Sequence, residues 1–135
     1  MATATVLYLG NLRTECTHLQ SGSTFMTDAP TDNNGKGEVF SPTDTVATAL
    51  ASCMLTVMGI KANQLGVDLK GTKATVTKTM ASNPRRISKI EVLLEFSHEI
   101  AAKAQKILEH TARTCPVDQS LHPDVVREIT FKWKS

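Results

Sequence analysis

Between Thr45 and Ile60 the chain runs TVATALASCMLTVMGI without a single charge, and its apolar and small residues leave no polar face. Such a run is predicted to form a helix that lies inside a protein rather than on its surface. Its start is marked by Ser41 as cap, Pro42 at the first helical position and Asp44 three residues after the cap. Asp44 also puts negative charge at the positive end of the helix dipole, Lys61 lies near the other end, and Gly66 stops the run. Before this helix, ATATVLYL at 2–9 reads as a strand broken by Gly10-Asn11. RTECTH at 13–18 reads as a second strand and 23–27 as a third, after a turn at Ser21-Gly22. The Gly-, Pro-, Asn- and Asp-rich stretch at 28–40 is predicted to be a mobile loop leading into the cap.

After the helix, two longer strands are predicted over 67–81 and 86–96, joined around Asn83-Pro84. In the second, Ile90, Val92, Leu94 and Phe96 alternate with Glu91, Leu93 and Glu95, which makes one face apolar. From His98 to Arg113 the period becomes helical, with Ile100, Ala104, Ile107, Leu108 and Thr111 on one stripe. Cys115-Pro116 reads as a helix restart, His122-Pro123-Asp124 as a breaker, and 125–133 as a closing strand with Ile129, Phe131 and Trp133 on one face. Strands, helix, strands, helix, strand, joined mostly by hairpins, predict an α+β fold of antiparallel sheets around a buried central helix. The length predicts a single domain over 1–135. A helix apolar on every side needs cover on every side. A homodimer would supply it; a monomer with a thick core is the other solution.

Composition narrows the function classes. The formal charge is +2, the basic residues are scattered, and aromatics make up 4%, which argues against a nucleic-acid face. The N-terminal MATATVLYLG lacks the basic start and long apolar run of a signal peptide. The uncharged run is shorter than the ~20 residues of a membrane span and contains Thr45, Thr48, Ser52 and Thr56. A soluble, cytoplasmic protein without a membrane partner is expected. Cysteines at 16, 53 and 115 are too few and too odd in number for a secreted disulfide framework. In a reducing compartment a disulfide among them would be transient and catalytic.

Cys115 precedes a proline at a helix start, where free N–H groups and the dipole favour a thiolate. Cys53 lies mid-helix and needs a neighbouring cation to ionise. Inert packing is the alternative for each. Cys16, in a strand with no partner motif, reads as structural. His110 stands near Cys115, but no CxxC, HxxxH or HxxE pattern supports a metal site. There is no G-x-S-x-G elbow, and GKGEVFSP is not a phosphate loop.

Pro42-Thr43-Asp44 followed by Thr48-Ala49-Leu50-Ala51-Ser52-Cys53 resembles the helix signature of the OsmC/Ohr family, the osmotically inducible protein C and organic hydroperoxide resistance proteins. Cys115-Pro116-Val117, at the end of an amphipathic helix, resembles the family's second cysteine site, and the element order fits over essentially the whole chain. The resemblance implies an OsmC-like fold in an intertwined homodimer, with the central helices packed together and two active sites at the interface. It also implies thiol peroxidase chemistry. Cys53 would attack the O–O bond of an organic hydroperoxide and become a sulfenic acid, and Cys115 would condense with it into a disulfide. An outside dithiol, lipoyl-type in the best-known branch, would then reduce the disulfide, without metal or organic cofactor. Val46, Leu50, Met54 and Val57 suit a greasy peroxide.

In the peroxidase branch an arginine from the segment after the first strand holds the thiolate ionised, tethered by a glutamate near the helix start. Arg13, nine positions before the hairpin Gly22, matches that arginine; a solvated strand arginine is the other reading. Thr43 stands where that branch has its glutamate, so the neighbouring Asp44 is the nearest candidate to orient Arg13, besides capping the helix. The departure leaves room for a family member with little peroxidase activity that binds a small apolar ligand at the dimer interface, or for a thiol redox sensor. The loop at 28–40, which leads into the helix, is a candidate lid.

Overall fold

Turn chemistry organises the N-terminal part of the chain. In a computed structural model that describes residues 1–135, β1 (Ala4–Gly10), β2 (Arg13–His18) and β3 (Thr24–Asp28) form an antiparallel meander in the order β1-β2-β3. Asn11 and Leu12 turn β1 into β2 with φ of 56° and 63°, the left-handed pair that a two-residue hairpin turn needs. Contacts divide the chain into two compact units, Met1–Val46 and Ala47–Ser135, where length and composition point to one domain. The first unit leaves Val6, Leu7, Tyr8 and Phe25 exposed.

Helix α1 (Pro42–Leu65) begins with a reciprocal cap. The Asp44 N–H donates to Ser41 Oγ, and the Ser41 N–H donates to the Asp44 carboxylate. At 24 residues the helix is long and apolar enough to cross a membrane, so the length argument drawn from the uncharged run does not hold. One face of it is buried in the second unit's core: Ala47, Leu50, Ala51, Met54, Met58 and Ala62. The stripe Thr48, Ser52, Thr56 and Ile60 is exposed, so the chain alone does not cover the helix on all sides.

The second unit contains the sheet β4 (Lys73–Ala81), β5 (Arg86–Glu99) and β6 (Val126–Lys134), in the order β4-β5-β6. β4 and β5 are antiparallel and meet at a tight turn with a cis Asn83-Pro84 peptide. β5 and β6 are parallel, so the sheet is mixed rather than antiparallel throughout. The reason is the connection: α2 (Ala102–Ala112) and α3 (Pro116–Ser120) form a crossover long enough to return the chain to the same end of the sheet. Ile90, Val92, Leu94 and Phe96 of β5 bury the face that the alternation predicts, against a cluster that includes Leu108 and Ala112 of α2.

Two boundaries move for local reasons. β4 starts at Lys73, not 67, because the Lys70 N–H donates to the Asp68 carboxylate and Gly71, at φ 89°, completes a turn. β5 continues to Glu99, and α2 starts at Ala102 rather than at His98. Ser97 Oγ and His98 Nε2 both donate to the Lys70 carbonyl, which keeps that stretch extended.

Leu94 is fully buried, so Leu94→Ala is expected to cost about 2–5 kcal/mol. Lys132, on the exposed face of β6 with only a 3.8 Å contact to Glu95, is expected to change stability by no more than about 0.5 kcal/mol on replacement by Ala. Urea midpoints at unchanged m-value measure both.

Candidate functional site

Cys53 and Cys115 come together in the second unit. Cys53, mid-α1, is half-buried and packs against the core cluster, to which the fully buried Cys115 belongs. Cys115 caps α3: its backbone is extended (φ −66°, ψ 146°), Pro116 follows at the first helical position, and its sulfur accepts the Asp118 N–H at 3.4 Å. Both are free thiols. The Cys53 side chain is near enough to act on the ionisation of Cys115 through hydrogen bonding and charge.

The expectation that a helix start favours a Cys115 thiolate is overturned. Burial pushes the Cys115 thiol above its ordinary range; the Asp118 N–H pulls the other way, and Cys53 raises it further. A five-residue helix offers one N–H here, and desolvation outweighs it.

Arg127 of β6 holds α3 in place. Its Nε donates to the Asp118 carboxylate at 2.9 Å, one Nη to the Asp118 carbonyl at 2.9 Å, and the other to the Val125 carbonyl at 2.7 Å. The guanidinium thus ties the end of the crossover to the strand that follows it.

In the first unit, Arg13 is held by two carboxylates. Its Nε donates to Asp28 Oδ1 at 2.7 Å, and its Nη2 to Asp28 Oδ2 at 2.9 Å and Glu38 Oε1 at 3.0 Å. Asp28 is buried and also accepts the Glu38 N–H. The Arg13 guanidinium holds the Asp28 carboxyl below the usual carboxylate range, against burial, with help from the N–H groups of Glu38 and Val39. Asp44 is not among the partners of Arg13; its carboxylate serves the cap, and Asp28 and Glu38 take the tethering position expected of it. Sequence reasoning missed both acids, yet one was within reach: a hairpin turning at Ser21-Gly22 puts Asp28 opposite Arg13 in register.

The segment 28–40, expected to be mobile, is hydrogen-bonded around this cluster. The Asp28 N–H donates to the Phe40 carbonyl, the Ala29 N–H to Leu12 and the Gly37 N–H to Ala29, with a 3-10 turn at Thr31–Asn33 between. Gly35 packs so tightly on Ala29 that a Cβ there would overlap the Ala29 carbonyl. Cys16 sits half-buried in the central strand, paired with Val6 and Phe25 in register.

Two pH effects follow. Because the folded value for Asp28 is depressed, its contribution to stability is present above the ordinary carboxylate range and is lost as pH falls through the folded value. In Arg13→Gln the folded value is no longer held down and burial raises it, so this acid-dependent loss is expected to shrink or reverse; urea midpoints across an acid series measure it, and an unchanged acid limb refutes it. For Cys115 the sign reverses: the raised thiol stabilises below the ordinary thiol range, and this is lost as pH rises through the folded value. Iodoacetamide labelling of Cys115 should therefore show a midpoint above that of the unfolded chain. Cys53→Ser should lower this midpoint but not to the ordinary value, because burial, the larger cause, remains.

Comparison with known proteins places this arrangement in a family. The sequence model for "OsmC-like protein" matches residues 35–130. No curated protein matches the chain. Among solved structures, a candidate osmotic stress induced and detoxification response protein from Psychrobacter arcticus 273-4 is 53% identical with a TM-score of 0.95, over 97% of this chain and 96% of that one. An organic hydroperoxide resistance protein OsmC from Legionella pneumophila shares the fold at 14% identity and a TM-score of 0.76, over 98% of each chain. A candidate organic hydroperoxide resistance protein from Vibrio cholerae, with captopril bound in one of its active sites, does so at 13% identity and a TM-score of 0.74, over 97% of this chain and 92% of that one. With the family pattern matched over most of its length and a relative at 53% identity, the chain belongs to the OsmC-like protein family.

Proposed function

We propose that this protein is a dithiol peroxidase that reduces organic hydroperoxides. The observation that carries the reading is the adjacency of Cys53, half-buried on α1, to Cys115, a buried thiol that caps α3. The hydroperoxide resistance proteins from Legionella and Vibrio share the fold, and the Psychrobacter relative is described in terms of detoxification. In the proposed cycle the Cys53 thiolate attacks one peroxide oxygen. An S–O bond forms, the O–O bond breaks, and the alkoxide leaves as alcohol after taking a proton. The Cys115 sulfur then attacks the sulfenic sulfur. An S–S bond forms, the S–O bond breaks, and hydroxide leaves as water with the Cys115 proton. An external dithiol, lipoyl-type or similar, reduces the disulfide by two thiol–disulfide exchanges and is itself oxidised. Keeping Cys115 protonated suits this order, because two adjacent thiolates would repel and only one is needed as nucleophile. Arg13 is assigned the role of thiolate stabiliser, with Asp28 and Glu38 in place of Asp44 as its tethers. The exposed Val6, Leu7, Tyr8 and Phe25 and the open stripe of α1 support a homodimer as the working form.

A second reading has its own observation. Two carboxylates face the single charge of Arg13, and Thr43 stands where the peroxidase branch has glutamate, so a binding or redox-sensing protein with little turnover is the alternative. Peroxide consumption with a dithiol reductant separates the two. Cumene hydroperoxide is expected to be turned over faster than hydrogen peroxide. Activity should vanish in Cys53→Ser and Cys115→Ser and fall about a hundredfold or more in Arg13→Ala, as for loss of an electrostatic stabiliser. Negligible turnover by the unmodified chain, with its thiols intact, selects the alternative. Sedimentation velocity tests the dimer, and a monomer at micromolar concentration refutes it.

A further inference from the structure

Beside α3 lies a cleft of about 360 Å³ within the second unit, which no step of the proposed cycle uses. The volume falls in the range of about 300–1,000 Å³ typical of small-molecule sites. Met54, Ala112, Leu121, Pro123 and Ile129 make most of its wall apolar. Its charged groups are Arg113, Arg127 and Asp118, and they are not equivalent. Arg127 and Asp118 neutralise each other at 2.9 Å, and the remaining donors of Arg127 are engaged by the carbonyls of Asp118, Leu121, His122 and Val125. Arg113 makes no ion pair. Its guanidinium lies 5.6 Å from the centroid of the Phe131 ring, with its side chain exposed at the rim. The cleft therefore carries one uncompensated positive charge beside an apolar wall.

That combination selects a ligand chemistry. A guanidinium presents paired N–H donors that match a carboxylate in a bidentate manner. A phosphate dianion carries more charge and acceptors than the single guanidinium of Arg113 can match. A neutral apolar molecule would gain from the wall but nothing from the charge. We infer that the cleft binds a small amphipathic monocarboxylate, with its carboxylate on Arg113 and its hydrocarbon chain along Met54, Leu121 and Ile129. The site adjoins both thiols through the chain: Met54 follows Cys53, and the Asp118 N–H donates to the Cys115 sulfur. The inference rests on charge and shape and is independent of the peroxidase reading.

Titration calorimetry on the full reduced chain, without peroxide, tests it with three probes: octanoate, octanol and inorganic phosphate. Octanoate is expected to bind saturably, with octanol and phosphate each weaker by about tenfold or more. Amide chemical-shift changes in NMR spectra should map octanoate to residues 112–129. Arg113→Gln should weaken octanoate about tenfold or more, and Arg113→Lys should retain part of the affinity. No binding of octanoate, equal binding of octanol, displacement by phosphate, or full affinity in Arg113→Gln would each overturn the inference. The probe comparison on the unmodified chain decides it even if a variant is unstable. Because no turnover is measured, a failed peroxidase assay leaves this test intact.

Discussion

Burial of one face of α1 is the constraint from which the second unit's arrangement follows. Leu50, Met54 and Met58 share a core with Ile90, Val92 and Leu94 of β5 and with Leu108 and Ala112 of α2. That packing fixes the rotation of α1 about its axis, which leaves Cys53 at the edge of the core, half-buried. It also anchors the end of α2, so that Cys115, three residues past Ala112, arrives inside the same core. Hydrophobic packing of this kind is non-directional in origin but holds positions closely once the interior is dense. Adjacent sulfurs are thus a product of side chains that carry no chemistry themselves.

Burial then sets the chemistry of Cys115. A thiol removed from water resists ionisation more strongly than one N–H from a short helix can oppose, so the helix cap and the hydrophobic core pull in opposite directions and the core prevails. In the proposed cycle this would divide the labour between two identical functional groups: a resolving sulfur kept as a thiol would not compete with its neighbour for the role of nucleophile, and its proton would be available to the departing hydroxide.

The arginines show the same principle of context. Arg13 meets the buried Asp28 and the exposed Glu38, Arg127 meets Asp118 and a ring of carbonyls, and Arg113 meets only an aromatic ring. A carboxylate as buried as Asp28 needs a cation, so the first pairing holds the meander and the 28–40 segment together in addition to any role at a thiol. Arg127 fixes the crossover. Of these three, Arg113 retains an unopposed charge, which gives the cleft at α3 its polarity.

Much of this was legible before any coordinates. The cap at Ser41-Pro42-Asp44, the alternation in β5 and the Cys115-Pro116 restart are short-range signals, and each produced the element expected of it. The family signature was legible for the same reason, being a local pattern around each cysteine. Register even contained the Arg13–Asp28 pair, since a hairpin turn fixes which residues face each other. What sequence could not determine depends on residues far apart along the chain. The parallel pairing of β6, the extended conformation at Ser97-His98 enforced by the Lys70 carbonyl, and the exposed stripe of a helix that reads as apolar all round are of this kind. So is the ionisation of Cys115. Periodicity, caps and turns act over a few residues and are written locally, whereas desolvation and charge pairing are set by whatever the folded chain brings alongside, which only the tertiary structure decides.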